Sequence, residues 1–275
     1  MCHTIEDPTF DATAIATNAR AQMRPIHRPP RVPSDQHPHC AWTVSIEDHH
    51  PAVPEPPGLD EMRRTRLANV ELDAIHPSDD GVTDYSGPLV SDVDFTKFSH
   101  STLVRLADEV CIQMHLLSLG LARALEARTD TTAANSIRVS QMIGFGAAAA
   151  ERLLAVLKLP PNADGAKRIL ELHPMFNPAA YVSAEWEGDR LVFTRSQAHD
   201  DEAWVSLLGR DEVRPLQAIV QAVDPTLDVD VVEVSDGWAV AVTEGHDAAQ
   251  KRRKPPSPRW VTSRRGSSRS ARRSH

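Results

Sequence analysis

Four consecutive residues, His199, Asp200, Asp201 and Glu202, put an imidazole that titrates near neutrality beside carboxylates able to orient it or hold its proton. General acid–base chemistry needs that pairing. Neighbours in sequence do not converge on one point, however. Asp200 or Asp201 serves equally as a helix cap for the segment 203–208, with Glu202 favourable at the helix start. A second group lies at helical spacing: Asp108, Cys111 and His115 fall at i, i+3 and i+7 and project in similar directions. An imidazole one turn from a thiol can draw it towards the thiolate, the reactive form. The competing reading makes Cys111 an inert core residue among leucines and His115 a core histidine bonded to a carbonyl. As an enzyme, the chain would use His199, Asp200, Asp201 and His115, with His100 joining them or capping a helix.

Metal chemistry has a weaker basis. His37, His39 and Cys40 lie close together, and His49 and His50 follow. Imidazole and thiolate are good ligands for zinc and copper. The spacing matches none of the usual structural zinc patterns, and Pro38 separates two of the donors. A solvated histidine-rich linker without metal is the expectation, and no cofactor is expected. Paired Glu-x-x-His motifs, nucleophile elbows, Walker loops and CxxC pairs are absent from the sequence. The Gly144-x-Gly146 pair follows no strand and precedes no Lys-Ser or Lys-Thr, so it does not read as a phosphate loop.

These groups must be positioned by two long apolar segments, about 101–127 and 132–159. In the first, Leu103, Leu106, Val110, Met114, Leu117 and Leu121 form one stripe, and Val104, Ala107, Cys111, Leu119 and Ala122 fill much of the remainder. Such a helix is expected to be buried on most sides. It carries too many polar residues for a membrane span of about 20 apolar positions. Ser99 or Ser101 can cap its start, and Pro160 and Pro161 end the second helix. Glycine costs about 1 kcal/mol against alanine within a helix. Gly144 and Gly146 therefore imply close approach of a neighbouring backbone, on a flat face that includes Ser140, Gly144 and Ala148.

Beyond them, 163–172 reads as a short helix, and from Ala180 the period changes to two, giving a hairpin through Gly188 and Asp189. An amphipathic helix over 213–223 and a second hairpin through Asp236 and Gly237 complete the pattern. The fold class is α+β: two long packed helices followed by a small four-stranded antiparallel sheet in hairpin–helix–hairpin order, with disordered N- and C-terminal extensions. Residues 1–93, with twelve prolines, form the leader, in which 41–46 reads as a brief strand and 60–72 as a helix. Residues 94–246 form the globular domain, with the helical pair at 99–159 and the sheet part at 180–243. Residues 247–275 form a basic tail.

Charge is unevenly divided. The tail from 251 carries ten Lys or Arg and no acid, leaving residues 1–250 with 20 basic and 38 acidic side chains. Lys251, Arg252, Arg253, Lys254, Arg259, Arg264 and Arg265, with Trp260 among them, suit an anionic polymer or surface. Three scattered cysteines argue against a disulfide framework, and no apolar segment follows a basic N-terminal flank, so a cytoplasmic protein is expected. The leading functional expectation is a non-catalytic ligand- or partner-binding scaffold that self-associates through its helical pair. Its partners would be a small ligand or protein, a second copy, and an anionic polymer at the tail. The alternative is a small acid–base enzyme, a hydrolase, lyase or isomerase, with a pocket between helices and sheet. Nucleic-acid binding through the tail is the third.

Overall fold

Proline placement decides where regular structure survives in the first 71 residues. Most leader prolines fall outside regular elements, at 29–38 and 51–57, and the segments around them are ordered. The computed structural model describes residues 2–85, 92–235 and 237–245, which form two compact units, one ending at Glu71 and one beginning at Leu72. The basic tail lies outside the described residues. In the first unit, α1 (Cys2–Thr17) precedes an antiparallel pair, β1 (Ala21–His27) and β2 (Ala41–Ile46), whose register runs from Ala21 opposite Ile46 to His27 opposite Ala41. Strand β2 has the bounds its sequence suggests. Phe10 packs its ring against Trp42 at 4.2 Å, and Arg28 reaches over the same indole while bonding Asp7 at 2.6 Å. These contacts fasten the helix to the hairpin, so this part of the leader is folded rather than loosely wrapped. The helix expected over 60–72 is only α2 (Leu59–Arg63) with a 3-10 turn at Leu67–Asn69, because Thr65 and Asn69 side chains take over the backbone bonding between them.

The boundary falls at Glu71 rather than near residue 93, since the segment after Leu72 folds onto the second unit. Thr102 donates its hydroxyl to Val82 O, the Ser101 hydroxyl accepts from the His76 amide, and Val82 bridges to Phe98. Helix α3 (His100–Glu126) starts at Ser99, whose hydroxyl accepts from the Thr102 amide. Helix α4 (Thr131–Leu157) starts at Asp130, which accepts from Ala133, and ends with Lys158 in the left-handed region just before the two prolines. The short link makes the two a helical hairpin.

Next come α5 (Ala163–Leu172), capped by Asn162, and a 3-10 turn at Pro174–Phe176. The short α6 (Ala179–Val182) occupies the positions where the first strand was expected to begin. That strand, β3, is Ala184–Glu187, paired with β4 (Arg190–Thr194). After α7 (Gln197–Asp200) and a 3-10 turn at Trp204–Leu207, α8 (Arg214–Val223) buries Leu216, Ile219, Val220 and Val223, spaced i, i+3, i+4, i+7. Burying such side chains is worth about 1.5–3 kcal/mol each. Strands β5 (Leu227–Val234) and β6 (Gly237–Glu244) complete a four-stranded antiparallel sheet in the order β3-β4-β6-β5. Helices α5 and α8 pack on this sheet, and α4 packs on α8, so the helical hairpin is a separate layer with α8 between it and the strands.

Two glycines differ from their sequence reading, Gly237 and Gly144. Val234 pairs with Gly237, which makes Gly237 the first residue of β6 rather than a turn position. Its φ is 157°, and a Cβ there would lie 1.9 Å from the Phe193 carbonyl oxygen. Of the two glycines in α4, Gly146 meets a close neighbour, with Ile219 3.0 Å from where its Cβ would be, whereas Gly144 faces open space. Gly237→Ala should therefore lower stability by about 1–3 kcal/mol, the scale of forced overpacking. Urea unfolding of the two proteins checks it, and an unchanged midpoint would overturn the β4–β6 register.

Candidate functional site on the helical hairpin

One side of α3 gathers most of the helix's charged and hydrogen-bonding residues, Thr102, Arg105, Asp108, Glu109, His115 and Arg123 among them, and that side is turned inward. Its most buried positions are Thr102, Cys111, His115, Leu119 and Ala122. His115, 1% exposed, donates from Nε2 to Asn177 O at 2.8 Å and accepts at Nδ1 from the Trp204 indole N–H at 3.0 Å. Its ring is coplanar with the indole, and Tyr181 lies 5.3 Å away. Burial holds the imidazole neutral and drops its pKa to about 4. Further along, the Arg123 guanidinium donates to Asp201 O and pairs with Glu126, while Arg138 of α4 donates to Glu202 O at 2.7 Å. Arg105, nearer the start, bonds Glu109 and the Asp73 carbonyl, and Tyr85 donates to the same carboxylate at 2.7 Å.

The groups singled out for catalysis are placed by this network. Asp201 accepts from the buried Tyr181 hydroxyl at 3.1 Å, and through Tyr181 it lies one ring from His115. His199 turns to its own segment: Nδ1 bonds the Ser196 amide and hydroxyl, forming the cap of α7, and burial lowers its pKa. Asp200 pairs with Arg195 at 2.8 Å. Neither aspartate caps the turn at 204–207, whose start has no side-chain cap. Cys111 is no partner of His115, both of whose ring nitrogens are engaged elsewhere, and burial pushes its thiol up to about 11. A second buried imidazole, His173, bonds Gly146 O with Nε2 and accepts from the Met175 amide at Nδ1, with its pKa likewise lowered to about 4 by burial. It ties α4 to the turn after α5.

The outward side of α3 has the opposite character. Between Leu103 and Leu121 its exposed residues are Leu103, Val104, Ala107, Val110, Gln113, Leu117 and Leu121, none of them charged. Val110 is 64% and Leu117 77% exposed, although this stripe was expected to be core. The exposed residues of α4 up to Ala148 are also uncharged and mostly small, Ser140, Gly144 and Ala148 among them. Between the helices a groove of about 370 Å³ is lined by Val110, Met114, Leu117, Met142 and Phe145, with Trp204 and Met175 also reaching it. Its lining contains no titratable group, so it is not the acid–base pocket anticipated between helices and sheet.

A polar hollow of about 520 Å³ lies elsewhere, at the start of α3, lined by Asp73, His76, Asp79, His100, Ser101 and Asp108 among others. Asp79 accepts from the Ser101 amide at 3.2 Å, and the Ser101 hydroxyl and amide hold its carboxyl below the usual range. Burial, reinforced by Asp73, raises Asp108. Sequence reasoning missed His76, Asp79 and Asp73 because no periodic pattern ties that segment to the helix it folds against. No helix among the described residues is long and apolar enough to cross a membrane. No protein-family model, curated protein or solved structure matches this chain.

The two neutral imidazoles make stability depend on acid. Unfolded histidine titrates near 6.5, so below that pH the unfolded chain binds protons that the folded chain refuses until about pH 4. Their contribution is complete above pH 6.5 and should fall on acidification by roughly 1.4 kcal/mol per pH unit for each histidine. His115→Gln, which keeps a donor and an acceptor, should remove one share of the slope in urea unfolding between pH 7 and 5. An identical slope in the variant would show that His115 is not held neutral.

Proposed function

We propose that this chain is a non-catalytic binding or scaffold protein that self-associates through the outer face of its helical hairpin. The observation that carries the reading is the uncharged exterior of α3 between Leu103 and Leu121 and of α4 up to Ala148 in a chain that is 25% charged. Exposed apolar surface of this continuity marks an interaction face.

Its shape favours a second copy as occupant. Leu103, Ala107, Val110, Met114, Leu117 and Leu121 alternate spacings of four and three, the repeat that seats one helix on another. On α4, Ile137, Gln141, Gly144 and Ala148 follow the same spacing with mostly small side chains. A two-fold axis pairs unlike patches of one surface, so the large residues of α3 in each copy would fill the small-residue furrow of α4 in the other. Two hairpins joined this way make a four-helix bundle. The stretch Leu103–Leu121 is about 28 Å long at 1.5 Å per residue. With two helices about 10 Å apart side by side, that gives roughly 600 Å² of facing area per copy, near the size of stable interfaces.

In sedimentation velocity the full chain should run as a dimer, and Leu117→Glu or Gly144→Leu should raise the dissociation constant at least tenfold. Both positions are open, so each variant should keep its circular dichroism and melting profile apart from the loss due to dissociation. A monomeric parent protein, or a dimer indifferent to both changes, would overturn the reading.

The polar hollow favours a second reading, an acid–base enzyme. Two carboxyls with oppositely displaced pKa values, Asp108 raised and Asp79 lowered, are the arrangement that separates an acid from a base, and His76 and His100 line the same space. Side-chain carboxyl NMR titration should place Asp108 above and Asp79 below the ordinary aspartate range. Two ordinary values would remove the basis for this alternative.

A further inference from the structure

In the first unit, the turn after β2 brings three metal-ligating side chains together. Glu47, His49 and His50 each offer a donor atom, and those atoms lie within 4.8 Å of one another. The Glu47 carboxylate and His49 Nδ1 are 3.3 Å apart, and the two imidazoles sit edge to face with centroids 4.7 Å apart. Bonds of about 2.0–2.1 Å to nitrogen and oxygen give a tetrahedral ligand-to-ligand edge of about 3.4 Å, so the first pair already stands at coordination distance.

A second observation sets this cluster apart from a chance meeting of exposed side chains. His50 Nδ1 lies 3.3 Å from Arg20 O and donates to it in the tautomer that leaves a lone pair on Nε2. A carbonyl behind one ring nitrogen is the usual way in which a protein orients a metal-binding imidazole. The turn has a frame as well. Arg20 donates to Asp48 O at 2.8 Å and His50 O at 2.7 Å, the His50 amide bonds Glu47 O, and Val53 is tied to Ala19 O. The turn at 47–50 is thus rigid, where the sequence pattern suggests a solvated linker.

We infer that Glu47, His49 and His50 form a binding site for a divalent transition metal, with zinc the best match to two imidazoles and one carboxylate. Three protein donors leave at least one coordination position for water or an outside ligand. Glu47 and His49 are exposed and His50 is more enclosed, so the site opens to solvent on one side. Calcium and magnesium, which take oxygen donors, fit poorly. The inference is independent of the self-association reading, since it concerns a different unit of the chain.

The test uses the full, untagged chain stripped with a chelator and titrated with zinc against a chromophoric indicator, with cobalt as a spectroscopic substitute. One equivalent per chain is expected, with cobalt visible bands of low-symmetry coordination. His49→Ala and His50→Ala should each weaken binding at least tenfold, the scale seen for losing part of a metal's ligand environment. His49 is exposed, and the frame of the turn rests on the Arg20 side chain and on backbone groups of His50 that both variants keep, so circular dichroism of the metal-free variants should match the parent. A triple change of His37, His39 and Cys40 to Ala should leave the affinity as it was. The inference fails if no stoichiometric binding occurs, if His49→Ala and His50→Ala bind like the parent, or if the triple change abolishes binding instead.

Discussion

The orientation of α3 is decided by what its polar side chains need once they leave water. An imidazole with both nitrogens satisfied by Trp204 and Asn177 can be enclosed at little cost, and the carbonyls of Asp73 and Asp201 accept from Arg105 and Arg123. The same groups facing an apolar layer without partners would each cost about 1–3 kcal/mol or more. The helix is therefore rotated with its hydrogen-bonding side inward. Its leucine stripe points out as the geometric consequence, because a helix has only one orientation to choose. The buried polar groups also specify the chain around them: His115, Arg123 and Arg138 grip the segment 177–204 at four backbone or side-chain points. An apolar helix face would have tolerated several rotations, whereas these bonds permit one.

This accounts for what sequence patterning could and could not reveal. Strand β5, the helix α8 and the ends of both long helices follow from period, caps and prolines, which act locally and need no knowledge of neighbours. Ser99 is the cap at α3 because its side chain has only a few residues to reach. The direction of the Leu103–Leu121 stripe is not local. A greasy stripe usually turns inward, and only the partners waiting at Asn177, Asp201 and Trp204, some 60–90 positions away, outweigh that tendency. The folding of the leader was hidden for a related reason: proline density describes the segments between elements, while Phe10, Trp42 and Arg28 hold the elements together across 14–32 positions.

Candidate chemistry was legible to the extent that it was local. The cap formed by His199 is local, three residues from its partner Ser196, yet the sequence pattern assigns the capping role to Asp200 or Asp201 instead. His115 reads correctly as a histidine bonded to a carbonyl, but the indole on its other nitrogen comes from a residue 89 positions on. The polar hollow at the start of α3 combines two segments some 25 positions apart, and nothing in either announces the other. Residue type without partner is thus a weak guide here: of the described histidines in the second unit, the two most buried, His115 and His173, are neutral structural bridges, His199 is half-buried in a cap, and His76 and His100 at the hollow are exposed.

Burial of polar groups on one side and exposure of apolar groups on the other set a free-energy imbalance that a lone chain carries in water. Leaving Val110 and Leu117 in solvent forgoes about 1.5–3 kcal/mol apiece relative to covering them. Alanine or charge at those positions would relieve the imbalance without disturbing the inward network, since the two sides of α3 share no side chain. Between Leu103 and Leu121 on α3, and up to Ala148 on α4, none of the exposed residues offers the charge that would hold a water layer in place or steer an ionic partner. Among the small residues Ser140, Gly144 and Ala148, Gly144 leaves open space where a Cβ would stand while still imposing its conformational cost on α4. That glycine faces open space on the same hairpin that exposes Leu103, Leu117 and Leu121.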